Sequence, residues 1–282
     1  MPLRVQLPIR TDPDVGERVR RLALPFSKWG VDKYGCDRDE LGRFFTALQW
    51  MYRHYFRVKV LGAHNIPAQG RAMLVGNHSG GIALDGLMVI ASSFFELEPP
   101  RLAQGMVEFF INKFPFASQM STRLGQFTGL PEHAIRLLEE DRLLMVFPEG
   151  ARGTAKLYKE RDSLVRFGTG FVRLALQTRT PIVPLAFVGG GEAIPTVMNL
   201  VRLGHMLGVP YLPVTPWLAP IPLPVSLQIL YGEPMQLRGD GTEVDEVIQG
   251  QVDRIRERVA SLLRQGRALR HGHLEASAVR LG

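Results

Sequence analysis

Short apolar segments of strand length alternate in this chain with stretches of helical periodicity, and this alternation limits the available folds. The apolar segments lie at 57–62, 72–77, 102–107, 143–147, 182–188 and 225–231. Helices are predicted at 83–95, 115–124, 131–140, 162–178 and 243–264. Apolar strands separated by helices are typical of an α/β fold, in which helices flank a central, mostly parallel sheet.

We expect one structural domain, because no internal repeat, low-complexity tract or long linker divides the 282 residues. We assign 1–56 to an N-terminal helical segment, 57–240 to the α/β core and 241–282 to a C-terminal helix and tail, frayed after Arg267. The N-terminal segment is predicted to be helical over 14–56, with a break near 29–39. Its aromatic part, Arg43–Phe56, fits either a helix packed on the core or an interfacial helix that faces a membrane.

The chain is basic, with 34 Lys and Arg against 27 Asp and Glu. A basic surface suits nucleic acid, anionic lipid or acidic substrates, but no nucleic-acid-binding signature is present, so we predict no nucleic-acid partner.

There is neither a signal-peptide h-region nor an apolar run of ~18–20 residues, so no signal peptide or transmembrane helix is predicted. We therefore expect any membrane contact to be peripheral, on the cytoplasmic face. Cys36 is the single cysteine, which excludes an intramolecular disulfide.

The segment 74–86 places polar groups directly after a predicted buried strand. Asn77 and His78 follow the strand, a Gly-Gly step comes next, and Asp85 lies near the start of a helix. In open α/β sheets, sites lie beyond the carboxyl ends of the strands. A helix N-terminus keeps a nearby histidine neutral and able to accept a proton, and a carboxylate can fix its tautomer. The alternative is a structural histidine in a glycine-rich turn.

A second strand end, in the segment 143–153, has similar features. The strand leads into a turn with a carboxylate, Glu149, followed by Gly150 and Arg152. Arginine binds phosphate with two parallel hydrogen bonds, and glycine lets backbone amides approach an anion. The alternative is a strand-terminating turn with a solvated arginine.

Other catalytic signatures are missing from the sequence. It has no Walker motif and no G-x-S-x-G nucleophile elbow, and the glycines at 189–191 lack the spacing of a dinucleotide fingerprint. The remaining histidines lack ligand spacing, so no metal is predicted. Two further strand-then-turn segments, 123–134 and 180–195, fit either site walls or plain loops.

Taken together, these motifs resemble those of the glycerophospholipid acyltransferases, including the lysophosphatidic acid acyltransferases and the monoacylglycerol-acyltransferase-like branch. The matching residues are Asn77-His78 with Asp85, then Phe147–Gly150 with Arg152, then Ile182–Pro184, in this order. The resemblance covers roughly 58–234. Any one motif alone would be weak, but their joint order and spacing are specific.

The resemblance implies an O-acyltransferase in which His78 is the general base and Asp85 orients it. The donor would be acyl-CoA or an acyl-carrier protein, as a co-substrate, with no cofactor, no metal and no covalent acyl-enzyme. The acceptor's polar head would be held by Glu149, Gly150 and Arg152, and Pro184 would shape the acyl site. Further substrate-binding candidates on the matched segments are Asn77, Ser79, Gly80, Gly81 and Thr128.

The sequence departs from the family pattern in three places. Six residues separate His78 from Asp85, where the family has four, and a continuous helix would put the two about 10 Å apart along its axis. We therefore predict that Gly80-Gly81 loop out and that the helix begins near Ile82. Ala151 occupies the position after Gly150 at which many members of the family carry a hydroxyl-bearing residue. The second block offers Thr128 without the usual phosphate-binding arginine, which makes a neutral acylglycerol an alternative acceptor to lysophosphatidate.

Two segments suggest a membrane lipid surface as the partner. The basic run 156–166 fits either a solvated loop or attraction to anionic lipid or CoA phosphates. The proline-rich apolar stretch 206–224 must be buried, or else forms a membrane insertion loop or the roof of an acyl tunnel. Two alternative functions remain on the same fold, a non-catalytic lipid-binding or transfer protein and an ester or thioester hydrolase. Oligomeric state is left open.

Overall fold

A computed structural model describes residues 8–80, 84–107, 114–128, 131–219 and 221–282 of the chain. Its strands, numbered in chain order, are β1 Lys59–Leu61, β2 Ala72–Gly76, β3 Ala103–Val107, β4 Phe127–Thr128, β5 Leu143–Val146, β6 Ile182–Val188, β7 Met198–Leu200, β8 Leu212–Val214 and β9 Gln228–Tyr231. All six predicted strand segments contain a strand, and the fold is the predicted single α/β domain.

The central sheet has seven strands in the order β1-β9-β6-β2-β5-β3-β4. Strands β4, β3, β5, β2 and β6 are parallel to one another, whereas β9 pairs antiparallel with β6 and parallel with β1. The carboxyl ends of the parallel strands therefore meet at one edge of the sheet. The chain segments that start β1 and β9 lie at that same edge, because those two strands run the opposite way.

The α-helices are α1 Pro13–Arg20, α2 Arg38–Trp50, α3 Leu84–Phe95, α4 Pro115–Arg123, α5 Pro131–Glu139, α6 Ala151–Thr154, α7 Gly170–Gln177, α8 Gly190–Ala193, α9 Val201–Met206 and α10 Asp245–Arg270. The predicted helix over 162–178 is wrong in its first half, since only α7 is helical. The amide of Val165 donates to the Glu149 carboxylate at 2.8 Å, and the amide of Gly168 donates to the Pro148 carbonyl, so neither serves a helix.

One face of the sheet is covered by α3, which is almost wholly buried beneath α2. Phe45 of α2 and Phe94 of α3 stack with their ring centroids 3.7 Å apart. Phe45, Tyr52 and Phe56 are at most 1% exposed, so the aromatic segment 43–56 packs mainly on the core. Among the aromatic side chains of this segment, Trp50 is the exception, at 59% exposed.

The opposite face of the sheet is covered by α5, α7 and α10, whose buried side chains include Leu137, Val172 and Val259. Helix α10 continues six residues past the predicted end at 264. The tail after it is not frayed as predicted. It returns to the sheet, where the Glu233 amide donates to the Leu281 carbonyl at 2.8 Å.

The chain between β6 and β9 forms a separate small layer at the edge where the parallel strands end. Strands β7 and β8 pair antiparallel there, with Met198 opposite Val214, and α9 connects them. An added Cβ on Gly204 of α9 would overlap the backbone of Tyr211, so the helix packs directly on the segment before β8. In the described part of the chain, no helix has the length and apolar character needed to cross a membrane.

Candidate active site

His78 lies just beyond the end of β2, at the edge of the sheet where the parallel strands terminate. The preceding Asn77 extends the pairing with β6, because its side chain accepts from the Phe187 amide at 2.9 Å and donates to the Phe187 carbonyl at 3.1 Å. Asn77 was predicted as a substrate-binding residue. In this structure it is 1% exposed and both ends of its amide bind the sheet, so it fixes the start of the turn instead.

The side chains of His78 and Asp85 meet directly. His78 Nδ1 lies 3.1 Å from Asp85 Oδ2, and the same oxygen accepts from the Ser79 amide at 2.9 Å. The other oxygen accepts from the Gly86 amide at 2.7 Å. Asp85 is fully buried, which by itself raises its pKa. The charge of His78 and the hydrogen bonds from His78, Ser79 and Gly86 outweigh burial, so the pKa of Asp85 is lowered.

The longer spacing between His78 and Asp85 does not prevent their contact. Gly80 has φ +92°, a conformation that a side-chain-bearing residue rarely adopts, and an added Cβ there would lie 2.7 Å from the Lys156 carbonyl oxygen. The chain thus leaves helical geometry between the two residues, as predicted for Gly80. Gly81 and Ile82 lie outside the described residues, and the described helix starts at Leu84.

The aromatic ring of Phe147 packs on one face of the His78 imidazole. The two rings stack with centroids 4.4 Å apart and planes tilted by 19°. The His78 side chain is 11% exposed. Within the described ranges, Nε2 makes no hydrogen bond to the protein, so Nε2 is the ring nitrogen left to exchange a proton with a substrate.

The backbone of His78 is held by a buried ion pair between Glu149 and Lys156. Glu149 Oε2 lies 2.6 Å from Lys156 Nζ, and the two side chains are almost completely buried. Glu149 Oε1 accepts from the His78 amide at 3.0 Å, and Lys156 Nζ donates to the His78 carbonyl at 2.8 Å. Burial lowers the pKa of Lys156, and the opposing charge of Glu149 does not fully offset it.

This placement corrects the expected role of Glu149 as a residue that holds the acceptor's polar head. One carboxylate oxygen is bound to His78, and the other to Lys156 and the Val165 amide. Glu149 therefore shapes the site and presents no free carboxylate to a substrate. The sequence did not predict these contacts, because the motif does not indicate in which direction the Glu149 side chain points.

Lys156 is the main site residue that the sequence prediction missed. The basic run with Lys159, Arg161 and Arg166 predicts a solvated loop or a contact with lipid or CoA for Lys156, but the residue is 3% exposed and its side chain points inward. A second missed residue is Gly153 of α6. A Cβ there would lie 2.6 Å from Glu149 Cβ and 2.8 Å from His78 Cβ, so only glycine lets α6 pack on His78.

Arg152 is placed differently from Lys156, since its side chain is exposed on the outer side of α6. No carboxylate in the described ranges forms an ion pair with it. The preceding Gly150 has φ +57° and ψ −152° and an amide that donates to the Phe147 carbonyl, so it forms the sharp turn into α6. Arg152 therefore remains available to bind an anionic group.

The other predicted site residues lie further from the histidine. Pro184 lies within β6, opposite Val75, and its ring packs toward Gly232. The expected role of Pro184 in shaping an acyl site stays a prediction. Thr128 ends the short strand β4 at the far edge of the sheet, paired with Val107. Arg123, in the same block, lies 3.7 Å from Glu40.

Ser79 is 4% exposed and touches both sides of the site. Its hydroxyl lies 3.3 Å from Asp85 Oδ2, and an added Cβ on Gly190 would overlap its side chain. The glycine-rich segment after β6 thus forms a wall of the site, one of the two roles considered for it. Among the described residues, no group of three or more His, Cys, Asp or Glu side chains could hold a metal ion.

Comparison with known proteins identifies the family of this region. Residues 57–188 match the family model described as Acyltransferase. Uncharacterized proteins of Mycobacterium tuberculosis and Mycobacterium leprae are 34% and 36% identical over 216 residues, which is 73% of this chain. The chain spans about 60% of the length of these relatives, 60% and 58% respectively.

Two proteins of named activity are more distant. The human protein named 1-acyl-sn-glycerol-3-phosphate acyltransferase alpha is 28% identical over 144 residues, 48% of this chain and 46% of its own length. The crystal structure of the 1-acyl-sn-glycerophosphate acyltransferase PlsC from Thermotoga maritima has a TM-score of 0.50 and 19% identity, and the match covers 83% of this chain and 77% of that one. It supports the shared fold. Residues 57–188 therefore match the Acyltransferase family, and the motifs, the fold and the named relatives together support a glycerophospholipid acyltransferase family for this region.

Proposed function

We propose that the protein transfers a fatty acyl group from a thioester donor to a hydroxyl of a glycerolipid acceptor, with His78 as the general base. The observation that carries the proposal is the contact of His78 Nδ1 with the buried Asp85 at 3.1 Å, which leaves Nε2 without a protein partner among the described residues. A carboxylate at Nδ1 keeps the proton on that nitrogen and makes Nε2 the basic one.

The proposed reaction uses one proton transfer in each direction. His78 Nε2 takes the proton of the acceptor hydroxyl while the hydroxyl oxygen forms a bond to the thioester carbonyl carbon. The tetrahedral intermediate then expels the sulfur as the C–S bond breaks, and the thiolate recovers the proton from the imidazolium. Asp85 stabilises the imidazolium between these steps. The products are the ester and the free thiol, and His78 returns to its neutral form.

The position of Arg152 supports the proposal that one of the substrates carries an anionic group. It is exposed at the start of α6, and the preceding turn places its backbone next to the residues that hold His78. A guanidinium binds a phosphate through parallel hydrogen bonds. Both the human and the Thermotoga relatives carry names that specify a phosphate-bearing acylglycerol as acceptor, so lysophosphatidate is the first acceptor to test and acylglycerols are the second. The donor is acyl-CoA or an acyl-carrier protein.

The decisive experiment is to supply the purified protein with acyl-CoA or acyl-carrier protein and a panel of lysolipids and acylglycerols. Thiol release that depends on an acceptor, with a new ester found by mass spectrometry, would support the proposal. Thiol release without an acceptor would indicate a thioesterase instead. Acceptor binding without any thiol release would indicate a lipid-binding protein.

The role of His78 is tested by His78→Ala, which should lower kcat by about two to four orders of magnitude, the usual contribution of a general base. His64→Ala is the matched control, because His64 is exposed in the short turn after β1 and contacts none of the site residues named above. Unchanged turnover in His78→Ala would refute the assignment of the base.

A further inference from the structure

The chain between β6 and β9 exposes an unusually large set of apolar side chains. Trp217 is 37% exposed, Met206 83% and Leu218 82%. Together with seven neighbours in the same segment they form what we call the apolar face: Val197, Met198, Val201, Leu203, Met206, Leu207, Trp217, Leu218, Ile221 and Leu223. Single exposed apolar residues are ordinary, whereas a concentration of this kind in one segment marks an interaction surface.

The apolar face belongs to an ordered layer held by specific contacts. Leu223 N donates to the Ala193 carbonyl at 2.7 Å, and Thr215 Oγ1 donates to the Ala219 carbonyl at 2.6 Å. The proline-rich stretch therefore has defined backbone positions while its large side chains point outward. This exposure rules out full burial of the stretch, one of the arrangements considered from the sequence.

The apolar face lies at the same edge of the sheet as His78, because β2 and β6 are parallel and the face follows the end of β6. Two hydrogen bonds connect its base to the chain after α6. The Tyr158 amide donates to the Thr196 carbonyl at 2.7 Å, and Asn199 Nδ2 donates to the Ala155 carbonyl at 2.6 Å. Whatever binds the apolar face is therefore brought next to the site.

A basic and aromatic rim borders the apolar face on the side of the first strand. Tyr55 donates a hydrogen bond to the Pro222 carbonyl at 2.7 Å, and Arg57 donates to the Pro224 carbonyl at 3.2 Å. Arg53 and Trp50 are exposed in the same turn. Tryptophan, tyrosine and arginine beside apolar residues are the composition found where proteins meet lipid headgroups.

The two chain segments that form the apolar face and its rim carry basic but no acidic side chains. The sequence has no Asp or Glu between Glu40 and Asp85, and none between Glu192 and Glu233, so no carboxylate of either segment offsets Arg53, Arg57 or Arg202. The anionic headgroups of a bilayer complement such a rim. A second copy docked about a two-fold axis would instead bring the same basic rims together, which is unfavourable.

We propose that the apolar face and its rim dock on the surface of a bilayer that contains anionic phospholipid, with Met206, Trp217 and Leu218 inserted among the acyl chains. This inference rests on the proposed function: the docked surface presents the His78 site to an acceptor that stays in the bilayer. The binding is interfacial, by the exposed apolar side chains of this layer, and requires no membrane-spanning helix.

The test is flotation of the 282-residue chain with vesicles of phosphatidylcholine, with and without phosphatidylglycerol. Met206→Glu with Leu218→Glu should weaken vesicle binding about a hundredfold, because two inserted apolar side chains are lost. Val244→Glu with Val247→Glu is the matched control, since both valines are exposed at 64% and 48% near the start of α10. Equal binding by the two double variants would overturn the proposal.

A second measurement does not depend on charged substitutions. Trp29→Phe with Trp50→Phe leaves Trp217 as the only tryptophan. Its fluorescence should shift to shorter wavelength on anionic vesicles and be quenched by lipids brominated in the acyl chain. An unchanged spectrum, or a wild-type dimer in lipid-free solution that the Met206 and Leu218 substitutions dissociate, would refute docking on a bilayer.

The membrane surface and the proposed chemistry can fail separately. His78→Ala should bind vesicles as tightly as the wild type, because His78 is not part of the apolar face. If no acceptor supports thiol release but the vesicle-binding results are as expected, the proposed acyl transfer is refuted and the docking surface is supported. If acceptor-dependent thiol release is observed but both double variants bind vesicles equally, the docking surface is refuted and the acyl transfer is supported.

Discussion

Glu149 and Lys156 form a buried ion pair, 2.6 Å between Oε2 and Nζ, that binds both backbone polar groups of His78. The carboxylate accepts from the His78 amide and the ammonium donates to the His78 carbonyl. The pair therefore fixes the peptide units on both sides of the proposed base, while Asp85 fixes its ring. Neither Glu149 nor Lys156 needs to contact a substrate to affect turnover.

Lys156→Met should destabilise the fold by about 3–5 kcal/mol, because it leaves the Glu149 carboxylate buried without its cation. If Lys156 is a positioning residue, kcat should also fall while KM changes little. Urea denaturation and steady-state kinetics measure the two effects. Lys159→Met is the matched control, since Lys159 is exposed in the same basic run.

The coupling within this pair can be tested separately. Glu149→Gln combined with Lys156→Met should cost less stability than the sum of the single changes, because the double variant leaves no unpaired charge. Strict additivity would show that the two side chains stabilise the fold independently. A normal kcat in a folded Lys156→Met protein would show that catalysis does not require the ion pair that holds the His78 backbone.

Arg152→Gln should discriminate between anionic and neutral acceptors. If the guanidinium binds an acceptor phosphate, losing a charge-assisted hydrogen bond worth about 1.5–3 kcal/mol lowers kcat/KM for lysophosphatidate by about 10- to 150-fold. The same change should leave kcat/KM for a neutral acylglycerol nearly constant. An equal loss for both acceptors would point to the shared donor instead, and Lys159→Gln controls for removing a nearby surface charge.

The sequence was sufficient to predict the framework, because apolar periodicity located β2, β5 and β6. The pairing of His78 with Asp85 was implied by the family resemblance, and the longer spacing left it open until the structure showed the contact. The inward direction of Lys156 could not be predicted, because its burial depends on how the chain folds back after α6. Likewise, the irregular course of 162–169 depends on a hydrogen bond to Glu149, 16 residues away from Val165, which helical periodicity does not reveal.

The roles of Asn77 and Pro184 show a related limit of motif reasoning. Both lie in segments that carry the family resemblance, yet Asn77 binds the backbone of β6 and Pro184 packs inside the sheet. A motif identifies which residues the fold requires at a position. It does not separate residues that touch substrate from residues that hold those residues in place.

Gly153→Ala should be destabilising although the residue is helical. Its Cβ would lie 2.6 Å from Glu149 Cβ and 2.8 Å from His78 Cβ, and overpacking of this kind typically costs about 1–3 kcal/mol. Gly250→Ala is the matched control, since an added Cβ in that part of α10 meets no atom within 4 Å. That control should gain about 0.5–1 kcal/mol from helix propensity.

Thermal or urea denaturation of the two alanine variants measures this contrast, and kinetics adds a second criterion. Gly153→Ala should lower kcat because it displaces His78, whereas Gly250→Ala should not. Equal stability changes in the two variants would show that α6 can move away from the histidine without cost.

The contact between Asp85 and His78 should also make stability depend on pH. The pKa of Asp85 is lowered in the folded protein, and in the unfolded chain it returns to about 3.8. Folding therefore favours the ionised carboxylate. This contribution is present above about pH 4 and is lost as the pH falls through the folded pKa of Asp85.

Asp85→Asn removes the ionisable group, so the difference in unfolding free energy between wild type and variant should be larger at pH 6 than at pH 3. Urea denaturation across this range measures it, and Asp253→Asn, at an exposed position of α10, should show little pH-dependent difference. A difference for Asp85→Asn that stays constant or grows on acidification would mean that folding does not favour the carboxylate. In that case Asp85 would be neutral beside His78, and the imidazolium proposed for the acyl transfer would lack its stabilising charge.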